Sequence, residues 1–166
     1  SVLITLKKSK IKEPKQLINK KVMLVKGGAD ADFDAMFQAA GVFIEQVEQI
    51  HSSYDLNDLI EGKVSAFNSY LTNEPFYLES QGIEFNILNP RDYGVDFYSD
   101  ILFTTQQQID QDAERVERFR QASIRGWEYA LAHPNEIIEL IKFVYKSDKS
   151  IEHLRFEAKA VSLLVK

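Results

Sequence analysis

Residues 21–41 read KVMLVKGGADADFDAMFQAAG, and the two halves of this stretch carry different periods. Val22-Met23-Leu24-Val25 is a short continuous apolar run without alternation. That is the pattern of a strand covered on both faces, as in a parallel sheet. Gly27-Gly28 punctuates the run. Over residues 30–40 the apolar side chains Phe33, Met36 and Phe37 fall three and four apart, on one face of a helix. Gly41 supplies the stop. A buried strand, a glycine turn and an amphipathic helix make half of a β-α-β unit. The rhythm continues toward the C-terminus. Residues 42–47 form the next strand-like run. Residues 56–60 form a short helix capped by Asp55 or Ser53 and ended by Gly62. Residues 64–67 are again strand-like, 74–80 helical up to Gly82, and 83–88 a fourth strand-like run. The alternation predicts an α/β fold with a mostly parallel sheet flanked by helices.

After Thr104 the pattern changes to three helices without strands. Val116, Phe119, Ser123, Trp127 and Ala130 share one face; Ile137, Ile138, Ile141, Val144 and Tyr145 a second; Ile151, Leu154, Ala158, Val161 and Val165 a third. Pro134 suits a first helical turn and Ser150 an N-cap. Each stripe covers about a third of its helix and must face a core. That core is either the three helices bundled together or a sheet outside this sequence. Arg115, Arg118, Arg120 and Arg125, interleaved with Glu114 and Glu117, read as a solvated face carrying pairs such as Glu114 and Arg118.

Composition narrows the function. The 166 residues are 45% hydrophobic and 27% charged, with a formal net charge of −5. These values suit a soluble globular chain with a real core. Basic residues form no block that could track a phosphate backbone, which sets nucleic acid aside. The chain has no cysteine, which excludes thiol nucleophiles and cysteine zinc sites but fits either redox compartment. No apolar run approaches the ~18 residues of a membrane span. The sequence opens without methionine, directly in the strand-like run 2–6, and closes inside an amphipathic pattern at 161–166. Both ends read as cut from a longer polypeptide, so the lack of a signal or membrane segment says nothing of the parent.

Candidate sites stand beside simpler readings. Gly27-Gly28-Ala29-Asp30 lies between a strand and a helix, where free amides can hold an anion or a carbonyl group; it is equally a plain turn with Asp30 as N-cap. Asp30-Ala-Asp32-Phe-Asp34 imitates the start of a calcium loop, but Ala35 replaces the glycine and Gly41 the glutamate such a loop requires. His51, His133 and His153 fall in no zinc motif, and His153 with Glu157 reads as a surface pair one helical turn apart. Tyr70-Leu-Thr-Asn73-Glu74-Pro75 follows the third strand, so Asn73 and Glu74 lie at the strand edge where open α/β sheets bind ligands, or simply start a helix. Residues 89–98, NPRDYGVDFY, are the densest polar-aromatic segment and lead into 101–104, read as another strand. Tyr93 and Tyr98 suit a ring-shaped ligand, or pack as a crossing.

Four strings, LINKKVMLVKGG (17–28), LIEGKVSAFNSYLTNEPF (59–76), NPRDYGVDFYSDILFTT (89–105) and RVERFRQASIRGWEYALAHPNEII (115–138), together resemble the NMT1/THI5-like family of type 2 periplasmic solute-binding proteins. The likeness runs from Ile11 to about Ala160. It is greatest to the branch found as extracytoplasmic sensor domains of membrane-bound histidine kinases and diguanylate cyclases, and ABC-transporter binding proteins share it. Ser65 departs from the aspartate often seen in "GKVDAF". The resemblance implies a two-lobed α/β fold around a cleft. Residues 1–9 would be a hinge strand region, 10–100 the ligand-binding lobe two, and 101–166 a return hinge plus C-terminal helices of lobe one, whose remainder is absent. Family members bind pyrimidine precursors of thiamin, alkyl-sulfonates, nitrate and similar solutes. The implied ligand contacts are Gly28, Ala29, Asp30, Tyr70, Asn73, Glu74, Tyr93, Gly94 and Asp96, with Tyr98 nearby.

The expectation is thus a periplasmic or extracytoplasmic, non-catalytic solute-binding domain without cofactor or metal. It would serve as the sensory input of a membrane-associated signalling protein or as the binding component of an ABC transporter. A pyrimidine-synthesising enzyme of the same fold is disfavoured: its histidine and cysteine chemistry has no counterpart in the chosen loops. The expected partners are a small-molecule solute and the missing lobe one, with a homodimer of the fragment as an alternative cover for its apolar helices.

Overall fold

The computed structural model describes residues 1–25, 30–98 and 100–165, and it divides into two compact units, 1–97 and 98–166. Unit 1 is a five-stranded mixed sheet. Its strands are β1 (Val2–Leu6), β2 (Lys21–Leu24), β3 (Glu48–His51), β4 (Ala66–Ser69) and β5 (Phe85–Leu88), in the spatial order β3-β2-β4-β1-β5. β2 is parallel to both β3 and β4, whereas β1 is antiparallel to β4 and β5. Four strands therefore run one way and β1 alone runs the other.

The period-2 geometry of strands sends alternate side chains to opposite faces, and two cores result. Leu3, Val22, Leu24, Ala66 and Leu88 face one core, together with Phe33, Met36 and Phe37 of helix α1 (Ala31–Ala39). Val2, Ile4, Leu6, Met23 and Phe67 face the other, with Leu59 of α2 (Asn57–Ile60) and Leu78 of α3 (Glu74–Ser80). Both faces are covered, which is why β1 and β2 read as continuous apolar runs. The helix α1 stops where Gly41 takes φ +72° and Val42 N–H reaches back to the Phe37 carbonyl at 2.9 Å. That left-handed residue closes the last turn, a conformation glycine adopts without steric cost.

Strand boundaries differ in places from the sequence reading. Residues 42–47 are not a strand. Val42 and Val47 are buried beneath α1, Ile44–Gln46 form a 3-10 turn, and the strand is the polar stretch Glu48–His51. An edge strand pairs on one side only and needs no apolar run, so the hydrophobic signal pointed to the packed turn instead. β4 begins two residues later than expected, because the Val64 N–H still bonds the Asp58 carbonyl and completes the turn after α2. Residues 2–6, read as a strand, form one, interior to the sheet and with every residue buried.

Unit 2 holds three helices: α4 (Gln106–Ala132), α5 (Pro134–Glu139), continued by a π turn over Leu140–Val144, and α6 (Ile151–Leu164). Thr105 caps α4, its hydroxyl accepting from Gln108 N–H at 3.1 Å; Ser150 caps α6 likewise, from His153 N–H at 3.1 Å. The Arg118–Glu114 pair forms at 2.8 Å, as read. The three stripes meet around an open apolar groove of about 840 Å³, walled by Trp127, Ala130, Ile138, Ile141, Leu154 and Val161. Two expectations fail here. Residues 101–104 form no strand, and Ile101, Leu102 and Phe103 are exposed. Strand propensity is realised only where a neighbouring strand completes the ladder, and none does among the described residues. Nor do His153 and Glu157 make a surface pair. His153 is 2% exposed, and the Glu157 carboxylate accepts from Lys149 Nζ at 2.6 Å.

Candidate functional site

Chain order places β3 on one side of β2 and β4 on the other. The point between β2 and β4 is thus a topological switch point, where the loops leaving two parallel strands diverge and open a crevice at their carboxyl ends. A cavity of about 230 Å³ lies there, lined by Ser1, Val25, Asp30, Phe33, Tyr54, Phe67, Asn68, Ser69, Tyr70 and Glu74. Every segment reaches it for a local reason. Val25 continues β2, and Asp30 and Phe33 open α1. Tyr54 follows β3, residues 68–70 end β4, and Glu74 begins α3.

The corner after β4 is held by its own carboxylate. Glu74 Oε2 accepts from Tyr70 N–H at 2.8 Å and Oε1 from Asn73 Nδ2 at 2.9 Å. The Asn73 amide oxygen is shielded from solvent and meets no donor among the described residues. Asn73 is not among the lining residues, so this oxygen lies behind the cavity wall. Beyond β3, Ser52 N–H extends the β2–β3 ladder to the Leu24 carbonyl at 2.8 Å. Its hydroxyl donates to Asn68 Oδ1 at 3.3 Å and accepts from Tyr54 N–H at 3.3 Å. Tyr54 is held at φ +59° with 74% of its surface exposed. A bulky residue in the left-handed region is uncommon, and its ring is presented to solvent rather than packed.

The first turn of α1 is acidic. Asp30 is 7% exposed and occupies the N-cap position, yet its side chain makes no capping bond to the helix amides. The plain-cap reading of Asp30 therefore does not describe its carboxylate. The Asp34 carboxyl is pushed above its ordinary value, first by burial and then by Asp30, Glu45 and Asp32. The calcium-like run winds into α1 instead of encircling a loop. Among the described residues no group of three His, Asp or Glu could hold a metal ion.

The structure brings together part of the set expected from the sequence. Asp30, Tyr70 and Glu74 line the cavity, and Asn73 braces it. Gly28 and Ala29 lie outside the described residues. Tyr93, Gly94 and Asp96 are not among the lining residues. Tyr93 packs against the α1 core, its phenol pushed up by burial and by Glu13 and Asp92. Gly94 ends the Pro90–Tyr93 turn, and Asp96 accepts from Arg91 Nε at 2.8 Å. Of these three only Tyr93 packs; Gly94 and Asp96 are exposed. Tyr98 is exposed and opens unit 2. The sequence reading missed Tyr54, Asn68 and Ser69. The rule that ligands gather at carboxyl strand ends would have found them, had β3 and β4 been placed at their true registers.

Comparison with known proteins follows the same geometry. A formylaminopyrimidine-binding protein of Halalkalibacterium halodurans is 27% identical over 109 residues, 64% of this chain and 33% of that protein. The riboflavin-binding protein RibY of Chloroflexus aurantiacus is 34% identical over 82 residues, 49% of this chain and 23% of that protein. Among solved structures, the aliphatic sulphonate-binding protein SsuA of Escherichia coli superposes with a TM-score of 0.78 at 11% identity, covering 95% of this chain and 51% of its own. The alkanesulfonate-binding SsuA of Xanthomonas axonopodis pv. citri, bound to MOPS, gives 0.70 at 12%, covering 95% and 54%. The likeness establishes a periplasmic-binding-protein α/β fold. This chain spans about half the length of those structures and a third or less of the curated relatives. The family pattern described as NMT1/THI5 like matches residues 1–137, and with the mixed sheet and the switch-point cavity in place, the chain belongs to that family.

Proposed function

We propose that this chain is part of an extracytoplasmic, non-catalytic solute-binding domain and that unit 1 supplies one wall of its binding site. The observation that carries the reading is the switch-point cavity, lined by the exposed Tyr54 and Tyr70 and by the braced Glu74 carboxylate. A small apolar-and-polar hollow with a few fixed hydrogen-bonding groups suits a ring-sized solute. None of the three histidines is among the lining residues, and the relatives bear the names of binding proteins. In a two-lobed binding protein, a solute that touches both lobes only when they close shifts the population to the closed state. As an ABC-transporter component, the domain would deliver solute to a permease. Joined to a membrane-bound output domain, it would be the sensory input, the reading favoured by the resemblance that the four strings carry together.

Thermal-shift screening of the chain against aminopyrimidines, flavins and sulfonates tests the binding reading. A solute at a hundredfold excess over Kd adds about 2.7 kcal/mol, roughly 5–10 °C for a domain of this size. A panel in which nothing raises the midpoint would defeat the proposal. Extending the sequence on either side then decides between transporter and sensor: an output domain after a membrane span indicates the sensor, a free chain the transporter component.

A further inference from the structure

Ser52 is 5% exposed and is not among the lining residues, yet it touches three of the segments that frame the crevice. Its N–H bonds the Leu24 carbonyl at the end of β2. Its hydroxyl meets Tyr54 N–H and Asn68 Oδ1, each at 3.3 Å. β2 lies between β3 and β4, so the bond from Ser52 to Asn68 reaches across the carboxyl end of β2. A serine hydroxyl owns one proton. Tyr54 N–H is aimed at its oxygen, so that proton goes to Asn68. The amide of Asn68 is thereby turned, its carbonyl to Ser52 and its amino group away. Among the described residues the Asn68 Nδ2 protons donate to nothing. Asn68 is half-buried and lines the cavity. Ala66, two residues earlier, is buried with the α1 core, so Asn68 stands just past that core on the same side of the sheet. Neighbouring polar groups of the wall are committed. Both Glu74 oxygens accept hydrogen bonds, and the Ser69 hydroxyl donates to the Phe67 carbonyl at 3.4 Å. The Ser1 ammonium also lines the cavity and lies 3.9 Å from Asp32 Oδ2.

Resting on the solute-binding reading above, we infer that Asn68 is a specificity-determining residue whose Nδ2 donates to a solute bearing a hydrogen-bond acceptor on its edge, a carbonyl oxygen or an unprotonated ring nitrogen. Ser52 is the positioning residue that holds the amide in its donating orientation. Selection is by lone pair and not by net charge. A ring of the same shape without an acceptor would leave the two protons unmet as it displaced their water. A site that hydrogen-bonds its ligand rejects such an analogue more strongly than an apolar pocket does.

A matched pair of probes tests it. 4-Aminopyrimidine and aniline share a flat ring and an amino group, both are uncharged near neutral pH, and only the first has ring nitrogens that accept. Each is titrated into the 166-residue chain, and NMR follows the Asn68 side-chain amide and the backbone amides of residues 54, 69 and 70. The expected result is saturable movement of the Asn68 Nδ2 resonances with 4-aminopyrimidine, at an affinity at least about tenfold above that of aniline. Asn68→Asp keeps the shape and the acceptor for Ser52 but removes the donor, and is expected to shrink that preference about tenfold. Ser52→Ala is expected to shrink it about threefold to tenfold, and Ser52→Thr, which keeps a hydroxyl, to restore it. A merely structural role for Ser52 would weaken both probes alike and leave their ratio unchanged, and that result overturns its positioning role. Aniline binding equally well, or an unchanged preference in Asn68→Asp, overturns the inference while the solute-binding reading stands. Loss of the preference on acetylating the Ser1 amine would assign the donor to Ser1 and overturn it too. If neither probe moves these amides up to about 20 mM, well above a weak millimolar Kd, both the inference and the site assignment fall.

Discussion

Tyr54 offers the sharpest perturbation, because its backbone and its ring answer to different substitutions. The residue sits at φ +59° and is 74% exposed. An L-residue in that region costs about 1–2 kcal/mol relative to its preferred wells, and asparagine pays less because its short side chain tolerates the left-handed region. A β-branched residue pays most. Tyr54→Asn and Tyr54→Val both delete the ring, so whatever small contact the ring makes cancels between them. The difference that remains is the cost of holding the backbone. The valine variant is therefore expected to be less stable than the asparagine variant by about 1–2 kcal/mol, and the asparagine variant to lie within about 0.5 kcal/mol of the parent. Urea unfolding followed by far-ultraviolet circular dichroism reads this directly. With a slope of about 1–3 kcal/mol per molar, the valine midpoint falls roughly 0.3–2 M below the asparagine midpoint. Solute affinity, in contrast, falls by the same factor in both, since both lack the ring. Coincident unfolding midpoints would refute the strained-backbone argument. An affinity loss found only in the valine variant would refute the assignment of the ring to the site.

Two further outcomes separate packing from binding. Phe37 is fully buried between α1 and the sheet, so Phe37→Ala is expected to cost about 3–5 kcal/mol, seen as a large drop in the urea midpoint. Asp34 has a folded-state pKa raised above 3.8 by burial and its acidic neighbours. Its contribution to stability is present below that unfolded value and is lost as pH rises through the folded one. Asp34→Asn mimics the protonated form, so the variant is expected to melt above the parent at about pH 7 and together with it at about pH 3. A constant difference across that range would contradict the electrostatic cause.

The chemistry of the sequence made the α/β alternation legible because both sheet faces are covered. β2 announces itself as VML, and α1 as Phe33, Met36 and Phe37 on one face. What escaped was governed by partners rather than by local pattern. Edge strand β3 is polar and only half-buried, so the apolar residues just before it drew the strand assignment. The run 101–104 has strand composition but no strand beside it. For β1, local sequence gave a strand, while its antiparallel insertion between β4 and β5 is a long-range choice that no window of residues contains. The site followed the same division. Asp30, Tyr70 and Glu74 were visible because they lie within six residues of strands whose ends were placed well enough, and Tyr54 was hidden behind the misplaced β3.

The construction also explains how one fold serves relatives named for a formylaminopyrimidine, riboflavin and an alkanesulfonate. The strand ends that frame the cavity are fixed by two cores, and Leu24 and Phe67, each within three residues of the opening, are buried in them. On the proposed reading, the side chains that meet a solute stand just past those ends, on turns and first helical residues. Tyr54 and Tyr70 are mostly exposed and contribute almost nothing to either core. Changing them alters the chemistry of the wall while leaving the frame intact, because the cost of a substitution scales with what it unburies. Glu74 is the exception. Its carboxylate both faces the cavity and ties Tyr70 N–H to the Asn73 amide, so a lineage that changed ligand charge at this position would also have to replace two hydrogen bonds. Recognition and scaffold are thus separable at the two tyrosines and coupled at Glu74, which makes the glutamate the position where a switch of solute class meets structural resistance.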